Sequence, residues 1–254
     1  MNQSVVKALR LLDFFTIEQK ELSLRELAKK AELTKPTAYR LLSSLEECGF
    51  LRKVKTNNQD ARYRLGLKLL DLGSLVAEQF ELREIALPFM RQLSADVNEV
   101  VHLVILDKDE AVYIEKVETN HAIRLYTRVG KRSELYIGSG PKLLLAFLPQ
   151  KEQQIFMENM DFSKLTEYTI GNKEDLLQEL ENIKMHGFAF SRSEQDIGTV
   201  GISYPIYNYK KEVIAALNVS GPESRINEHF MEEVKGKTQK TALRISKEFG
   251  FSEG

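Results

Sequence analysis

Residues 23–49 hold two helix starts, a proline in a first turn and a glycine stop, an order that leaves the chain few folds to choose from. Ser23-Leu24-Arg25-Glu26 reads as a capping box, in which the serine hydroxyl accepts from the third helical N–H and Glu26 reaches back to the serine's own N–H. Leu24, Leu27, Ala28 and Ala31 then form the buried stripe of a short second helix. A turn through Glu32 and Leu33 leads to Thr34, a good N-cap. Pro36 fits the first turn because its missing N–H has no intrahelical partner there. The spacing predicts a third helix running to Cys48 and stopping at Gly49, the residue best suited to a left-handed C-cap. In it Ala38, Leu41, Leu42 and Leu45 fall at i, i+3, i+4 and i+7 and face inward. Lys35, Thr37, Tyr39, Arg40, Ser43 and Ser44 are left to the sides and the outside.

The flanks extend the pattern. Val5, Val6, Ala8, Leu9, Leu12 and Phe15 predict a first amphipathic helix from Gln3 to Thr16. After Gly49, residues Phe50–Val54 and Ala61–Leu65 read as strands around a polar turn over 56–60. Three helices followed by a basic hairpin is the order of a winged helix-turn-helix. A major groove about 12 Å wide accepts one helix, and side chains near that helix's N-terminus reach base edges. Lys35, Thr37, Tyr39 and Arg40 occupy that end, and Arg40 can bond a guanine in bidentate fashion. Lys53, Lys55, Arg62 and Arg64 of the hairpin would meet phosphates or the minor groove. Lys and Arg on exposed strands also serve simply to discourage edge pairing. Charge agrees with the nucleic-acid reading. The chain's net charge is only -1, yet residues 1–66 carry 13 Lys and Arg against 8 Asp and Glu, so a head of +5 sits on a body of -6.

Beyond the hairpin, Leu69, Leu70, Leu72, Leu75, Val76 and Phe80 cover more than one face of a helix expected over Leu67–Leu82, as a linker packing on a partner would. A further helix to Val97 precedes a hairpin of Val100–Leu106 and Ala111–Val117. Strands are expected at Ile123–Val129, Phe188–Ser193, Gly201–Tyr207 and Val213–Val219, and helices at Lys142–Phe147, Lys151–Asn159, Lys173–Met185 and Asn227–Phe249. The fold class is therefore α+β, with an antiparallel sheet in the larger part. At 254 residues two domains are expected: 1–66 as the winged helix-turn-helix, 67–82 as the linker or dimerisation helix, and 83–254 as the second domain. No apolar run approaches the roughly 18 residues of a membrane span, and the N-terminus lacks the order of a signal peptide. Cys48, the sole cysteine, excludes an intrachain disulfide and fits a reducing cytoplasm; at the end of a helix it is expected to be a small buried hydrophobe. His102, His121, His186 and His229 show no paired metal-ligand spacing, so neither metal nor cofactor is expected.

Gly138-Ser139-Gly140-Pro141-Lys142 leads into an apolar helix, and such an entry exposes N–H groups at the positive end of the helix dipole, where a small carboxylate would sit well. Asn218 and Ser220 share a face by strand alternation, and Ser203 lies on a neighbouring predicted strand. Glycine-serine loops also simply cap helices, and strand serines often satisfy the backbone.

Gln3-Ser4-Val5 with Ala8-Leu9, the run Leu33-Thr34-Lys35-Pro36-Thr37-Ala38-Tyr39-Arg40-Leu41-Leu42, and Tyr63-Arg64-Leu65-Gly66 together resemble the DNA-binding domain of the IclR family of bacterial regulators. Gly187, Ser191, Glu194, Ile202, Ser203, Ile206, Tyr207 and Asn208 fall at the spacing of that family's C-terminal signature; Gly201 departs from it, standing where the pattern prefers cysteine, serine or alanine. The resemblance spans almost the whole chain. It implies a GAF-like effector-binding domain, a homodimer or homotetramer, and control of a nearby operon, with repression as the expected mode. Transferred position by position, effector contacts fall on Leu125, Gly138, Ser139, Gly140, Ser191, Gly201, Ser203, Asn218 and Ser220. The DNA-facing set is Lys35, Thr37, Tyr39, Arg40, Ser43, Ser44, Lys55 and Arg62. The partners expected are thus double-stranded operator DNA and a small organic acid, with no membrane. The rival reading is a small-molecule enzyme that uses the helix-turn-helix for dimerisation or docking. The candidate pocket's neutral polar groups, without an evident base and nucleophile pair, weigh against it.

Overall fold

The computed structural model describes every residue except 1, 17, 56–60, 79–80, 123–124, 126 and 253–254. Two compact units result, residues 1–80 and 81–254.

In the first unit α1 (Gln3–Arg10) is capped by Asn2, whose side chain accepts from the N–H groups of Ser4 and Val5. The helix stops well short of the expected Thr16. The chain tightens into a 3-10 turn at Leu12–Phe14, which leaves Leu11 wholly buried with Leu12, Phe14 and Phe15 packed around it. A two-residue strand, β1 (Leu22–Ser23), precedes α2 (Leu24–Lys30), and both halves of the capping box form. Next, α3 (Lys35–Glu47) starts at Thr34, with Ala38, Leu41, Leu42 and Leu45 buried. It ends in a Schellman pattern: Phe50 N–H donates to the Leu45 carbonyl, Gly49 N–H donates to that of Glu46, and Gly49 sits at φ +79°. Cys48 is exposed, which corrects the expectation of a buried thiol; the cap turns its side chain away from the core that Leu45 enters. Strands β2 (Leu51–Lys55) and β3 (Ala61–Leu65) form the wing, and β1 joins as a third strand in the order β1-β3-β2. The turn expected over 56–60 lies outside the described residues. Helix α4 (Lys68–Glu78) follows; Phe80, expected on the same helix, also lies outside them.

The second unit opens with α5 (Glu81–Val97). Strands β4 (Val100–Asp107) and β5 (Glu110–Val117) make the expected hairpin, and β6 (Arg132–Glu134) borders it. No strand occupies the described residues of Ile123–Val129. Pairing with β5 begins only after the turn at Gly130, where Gly130 N–H donates to the Tyr113 carbonyl and Tyr113 N–H to that of Lys131. Helices α6 (Ser139–Ala146), α7 (Gln150–Asn159) and α8 (Lys173–His186) precede β7 (Ala189–Arg192), β8 (Thr199–Tyr207), β9 (Val213–Pro222) and the closing α9 (Glu228–Glu248). The six strands form one antiparallel sheet in the order β6-β5-β4-β9-β8-β7. On one face Val101, Leu103, Val200, Ile202, Tyr204, Leu217 and Val219 meet Met90 and Leu93 of α5 and Val234 and Ile245 of α9. Strand alternation turns Val104 and Ala216 to the other face, against Leu143–Ala146 of α6 and Leu180 of α8. The same alternation brings His102, Gly201, Ser203, Asn218 and Ser220 together beneath the start of α6, as cross-strand partners His102–Asn218, Ser203–Asn218 and Gly201–Ser220.

Candidate nucleic-acid interface and ligand cavity

The outer side of α3 presents Lys35, Tyr39, Arg40 and Ser44 to solvent, with Thr37 and Ser43 half-buried beside them. Thr37 and Thr34 share a hydroxyl contact of 2.9 Å, and the Ser44 hydroxyl donates to the Arg40 carbonyl. Among the described residues neither Lys35 nor Arg40 is ion-paired, so both cations remain available to an outside partner. The wing differs. Arg62 donates to the Glu21 carbonyl at 3.0 Å and to Glu26 at 3.2 Å, and Arg64 binds the Glu21 carboxylate. Ser23's N–H and hydroxyl, and then Arg62, hold the Glu26 carboxyl below its ordinary range. Arg62, read from sequence as a phosphate contact, is thus already bonded within the fold, whereas Lys53 reaches only across the Tyr63 ring. Lys55 ends β2, and its side chain lies outside the description.

Under α6 the larger unit holds a half-open cavity of about 50 Å³. Leu125, Gly138, Ser139, Ser191, Gly201, Asn218 and Ser220 line it, as the resemblance implies. Gly140 and Ser203 do not. Ser203 is fully buried behind Ser139, and Gly140 packs against Val104. Asn218 Nδ2 donates to the Ser139 hydroxyl at 2.8 Å and to that of Ser203 at 2.9 Å, and Ser203 donates to Ser139 at 3.0 Å. Gly201 makes this closeness possible, since a Cβ there would stand 2.7 Å from Ser139 Oγ and 2.8 Å from Ser191 Oγ.

The glycine-rich entry begins its helix at Ser139, three residues earlier than Lys142. Pro141 is harmless in the first turn. One expected anion donor is already occupied: Gly138 N–H donates to Glu194 Oε2 at 2.9 Å, while Glu194 Oε1 takes the Lys142 ammonium at 2.6 Å. Burial outweighs that ammonium and raises the Glu194 carboxyl above its ordinary range. Ser139 and Gly140 keep first-turn N–H groups with no intrahelical partner.

Sequence reasoning missed His102, Tyr113, Thr127, Glu194, Gln195, Asp196, Thr199 and Val200 as lining residues, and the two carboxylates among them correct the expectation of neutral polar groups alone. His102 Nδ1 lies 3.2 Å from Asn218 Oδ1 and 3.3 Å from Ser220 Oγ, while its Nε2 is buried without a hydrogen-bond partner among the described residues. Burial pushes the imidazole down to about 4 and the Tyr113 phenol up to about 12, so both are neutral near pH 7. Alternation alone puts His102 on the Asn218 face, but the pairing of β4 with β9 is a long-range fact no local pattern carries. Among the described residues no cluster of His, Cys, Asp and Glu is placed to hold a metal ion, and no helix is long and apolar enough to cross a membrane.

Comparison with known proteins extends these local observations to the whole chain. The IclR helix-turn-helix domain family matches residues 4–55, and the bacterial transcriptional regulator IclR C-terminal family matches residues 74–247. The HTH-type transcriptional regulator KipR of Bacillus subtilis is 36% identical over 251 residues, covering 99% of this chain and 98% of that one. The Thermotoga maritima IclR crystal structure is 31% identical with a TM-score of 0.78, covering 99% of this chain and 100% of that one. An IclR homolog from Microbacterium hydrocarbonoxydans, crystallised with 4-hydroxybenzoate, shares the fold at a TM-score of 0.84 and 22% identity, covering 98% of this chain and 100% of that one. The chain belongs to the IclR family of bacterial transcriptional regulators, with a helix-turn-helix DNA-binding domain followed by an effector-binding domain.

Proposed function

We propose that the chain represses transcription by holding operator DNA through α3 and the wing, and that a small organic acid in the cavity under α6 changes that hold. The observation that carries this reading is that one chain combines a helix whose outer face offers Lys35 and Arg40, ion-paired to no described residue, with a half-open polar cavity in a separate compact unit. On DNA, Lys35, Thr37, Tyr39 and Arg40 read base edges, Ser43 and Ser44 face the sugar-phosphate wall, and Lys55 with Arg62 flanks it. In the cavity the acid's carboxylate meets the first-turn N–H of Ser139 and the Ser191 hydroxyl. The organic acid of the Microbacterium complex supports that ligand class.

The functional division we assign is 1–66 for DNA, 67–82 for the linker and 83–254 for the effector. Leu70 and Leu75 of α4 are 66% and 54% exposed, and a second copy of the chain is the partner that would cover them in a homodimer or homotetramer. We read the protein as cytoplasmic and as a regulator rather than an enzyme. Ser220 and His102 do approach each other, but the ring nitrogen facing Ser220 also faces Asn218 Oδ1, and among the described residues no carboxylate bonds the ring to complete a triad. A gel-shift titration with the neighbouring intergenic DNA, across a salt series and with small acids added, tests the whole. Binding no tighter than to random sequence would overturn the reading, and a transcription assay on the same fragment gives the sign.

A further inference from the structure

The cavity holds a buried polar atom that no described residue serves. His102 is 1% exposed, lines the cavity and stands edge-on to the Tyr113 ring, with centroids 5.3 Å apart. Its Nδ1 faces Asn218 Oδ1 at 3.2 Å. On the other side Asn218 Nδ2 faces the Ile202 carbonyl at 3.5 Å and the Ser139 and Ser203 hydroxyls at 2.8 and 2.9 Å, which suits the amide's donor end and turns Oδ1 to the ring. With Oδ1 turned to the ring, Nδ1 carries the ring proton and donates to Asn218, which leaves Nε2 a bare lone pair. A buried acceptor with no donor costs free energy until something supplies one.

We propose, on the reading of this cavity as an effector pocket, that His102 is a specificity-determining residue whose Nε2 accepts a hydrogen bond from a hydroxyl of the effector, so the effector is a hydroxy acid and not the keto acid of the same length. A keto oxygen can only accept, and placed against Nε2 it would leave two acceptors facing each other. A carboxylate there would need the imidazolium form. The charged groups that act on the ring, Lys116 and Lys131 against it and Glu118 in its favour, together with burial, hold the imidazole neutral at physiological pH. The size of the space agrees: about 50 Å³, at roughly 10–15 Å³ for one water, accommodates a small acid in place of a few waters.

The test is calorimetric titration of the full chain with matched pairs, lactate against pyruvate and 2-hydroxybutyrate against 2-oxobutyrate, in two buffers of different ionisation enthalpy. The hydroxy acid of each pair should bind at least about tenfold tighter, with no net proton uptake. His102→Leu should bring each pair to within about twofold while operator affinity without acid stays at the wild-type value; His102→Gln, which keeps an acceptor oxygen, should retain the preference. If His102→Leu does not fold, His102→Gln and the wild-type proton count still decide. A keto acid that binds as tightly as its hydroxy partner overturns the proposal, as does uptake of about one proton, the mark of an imidazolium gripping a carboxylate. Failure of all four acids and of 4-hydroxybenzoate to bind overturns the reading of the cavity as a small-acid site, a result distinct from binding without preference.

Discussion

Replacing Lys142 by methionine should destabilise the effector unit by about 3–5 kcal/mol, because it strands a buried anion. The ammonium is 2% exposed and donates to Glu194 Oε1 at 2.6 Å, Glu179 Oε1 at 2.7 Å and the Phe190 carbonyl at 2.9 Å. These three losses are unequal. Glu179 is 27% exposed and rehydrates. Phe190 loses one ordinary hydrogen bond, about 1 kcal/mol. Glu194, 9% exposed, keeps only the Gly138 N–H and supplies most of the penalty. Methionine fills the lysine's stem, so a cavity contributes little. Lys142→Met/Glu194→Gln should regain most of the loss, since the amide oxygen still accepts from Gly138 without a charge to strand. The pH dependence follows from the raised Glu194 carboxyl. A folded-state pKa above the unfolded one contributes stability below the unfolded value that is lost as pH climbs through the folded value. Loss of Lys142 pushes that pKa higher still, so the penalty should be smaller near about pH 5 than near about pH 8. Urea denaturation followed by circular dichroism at both pH values measures all of this. A double variant as unstable as Lys142→Met, or a penalty indifferent to pH, would refute the reasoning.

Three further outcomes are expected. Arg40→Ala should lose roughly 1–3 kcal/mol of operator binding and relax preference at one base pair, whereas Lys55→Ala should weaken all sequences alike; gel shifts on operator and point-mutated sites compare the two, and wild-type curves for Arg40→Ala would remove it from the readout. Ser220→Leu, at a buried wall of the cavity, should still bind operator DNA yet no longer respond to the acid, and an unchanged response would place the pocket elsewhere. Leu70→Glu/Leu75→Glu should convert a dimer to a monomer in light scattering at micromolar concentration, and a wild-type protein that is itself monomeric would dispose of the covered-face reading.

The helix-turn-helix was legible because its signals are local. Ser23, Glu26, Thr34, Pro36 and Gly49 each act within four residues of themselves, and each sits in the structure as its chemistry requires. The inward set Ala38, Leu41, Leu42 and Leu45 needed only the 3.6-residue period. What escaped depends on distant partners. β1 is two residues long and exists because Tyr63 and Arg62 lie beside Leu22 and Ser23. The end of α1 is set by a core that claims Leu11, and the wing arginines are taken by Glu21, 41 positions before Arg62 in one of these bonds. In the cavity, glycine and serine positions could be transferred by resemblance, but His102 joined them only through the pairing of β4 with β9. Glu194 was legible as a signature residue, not as the carboxylate that fills the Gly138 N–H before any ligand arrives.

Glu26 has two attachments, the N–H of Ser23 at 2.7 Å and the guanidinium of Arg62 at 3.2 Å, and so ties the start of α2 to the wing strand β3. Arg62 adds a second tie through the Glu21 carbonyl. Strand β3, held in this way near Arg62, has less freedom left to surrender to a partner, so part of the entropy of ordering that strand is lost during folding. Glu26→Ala would therefore both loosen β3 and open the capping box that starts α2, and should raise the entropic cost of any partner that needs the wing ordered.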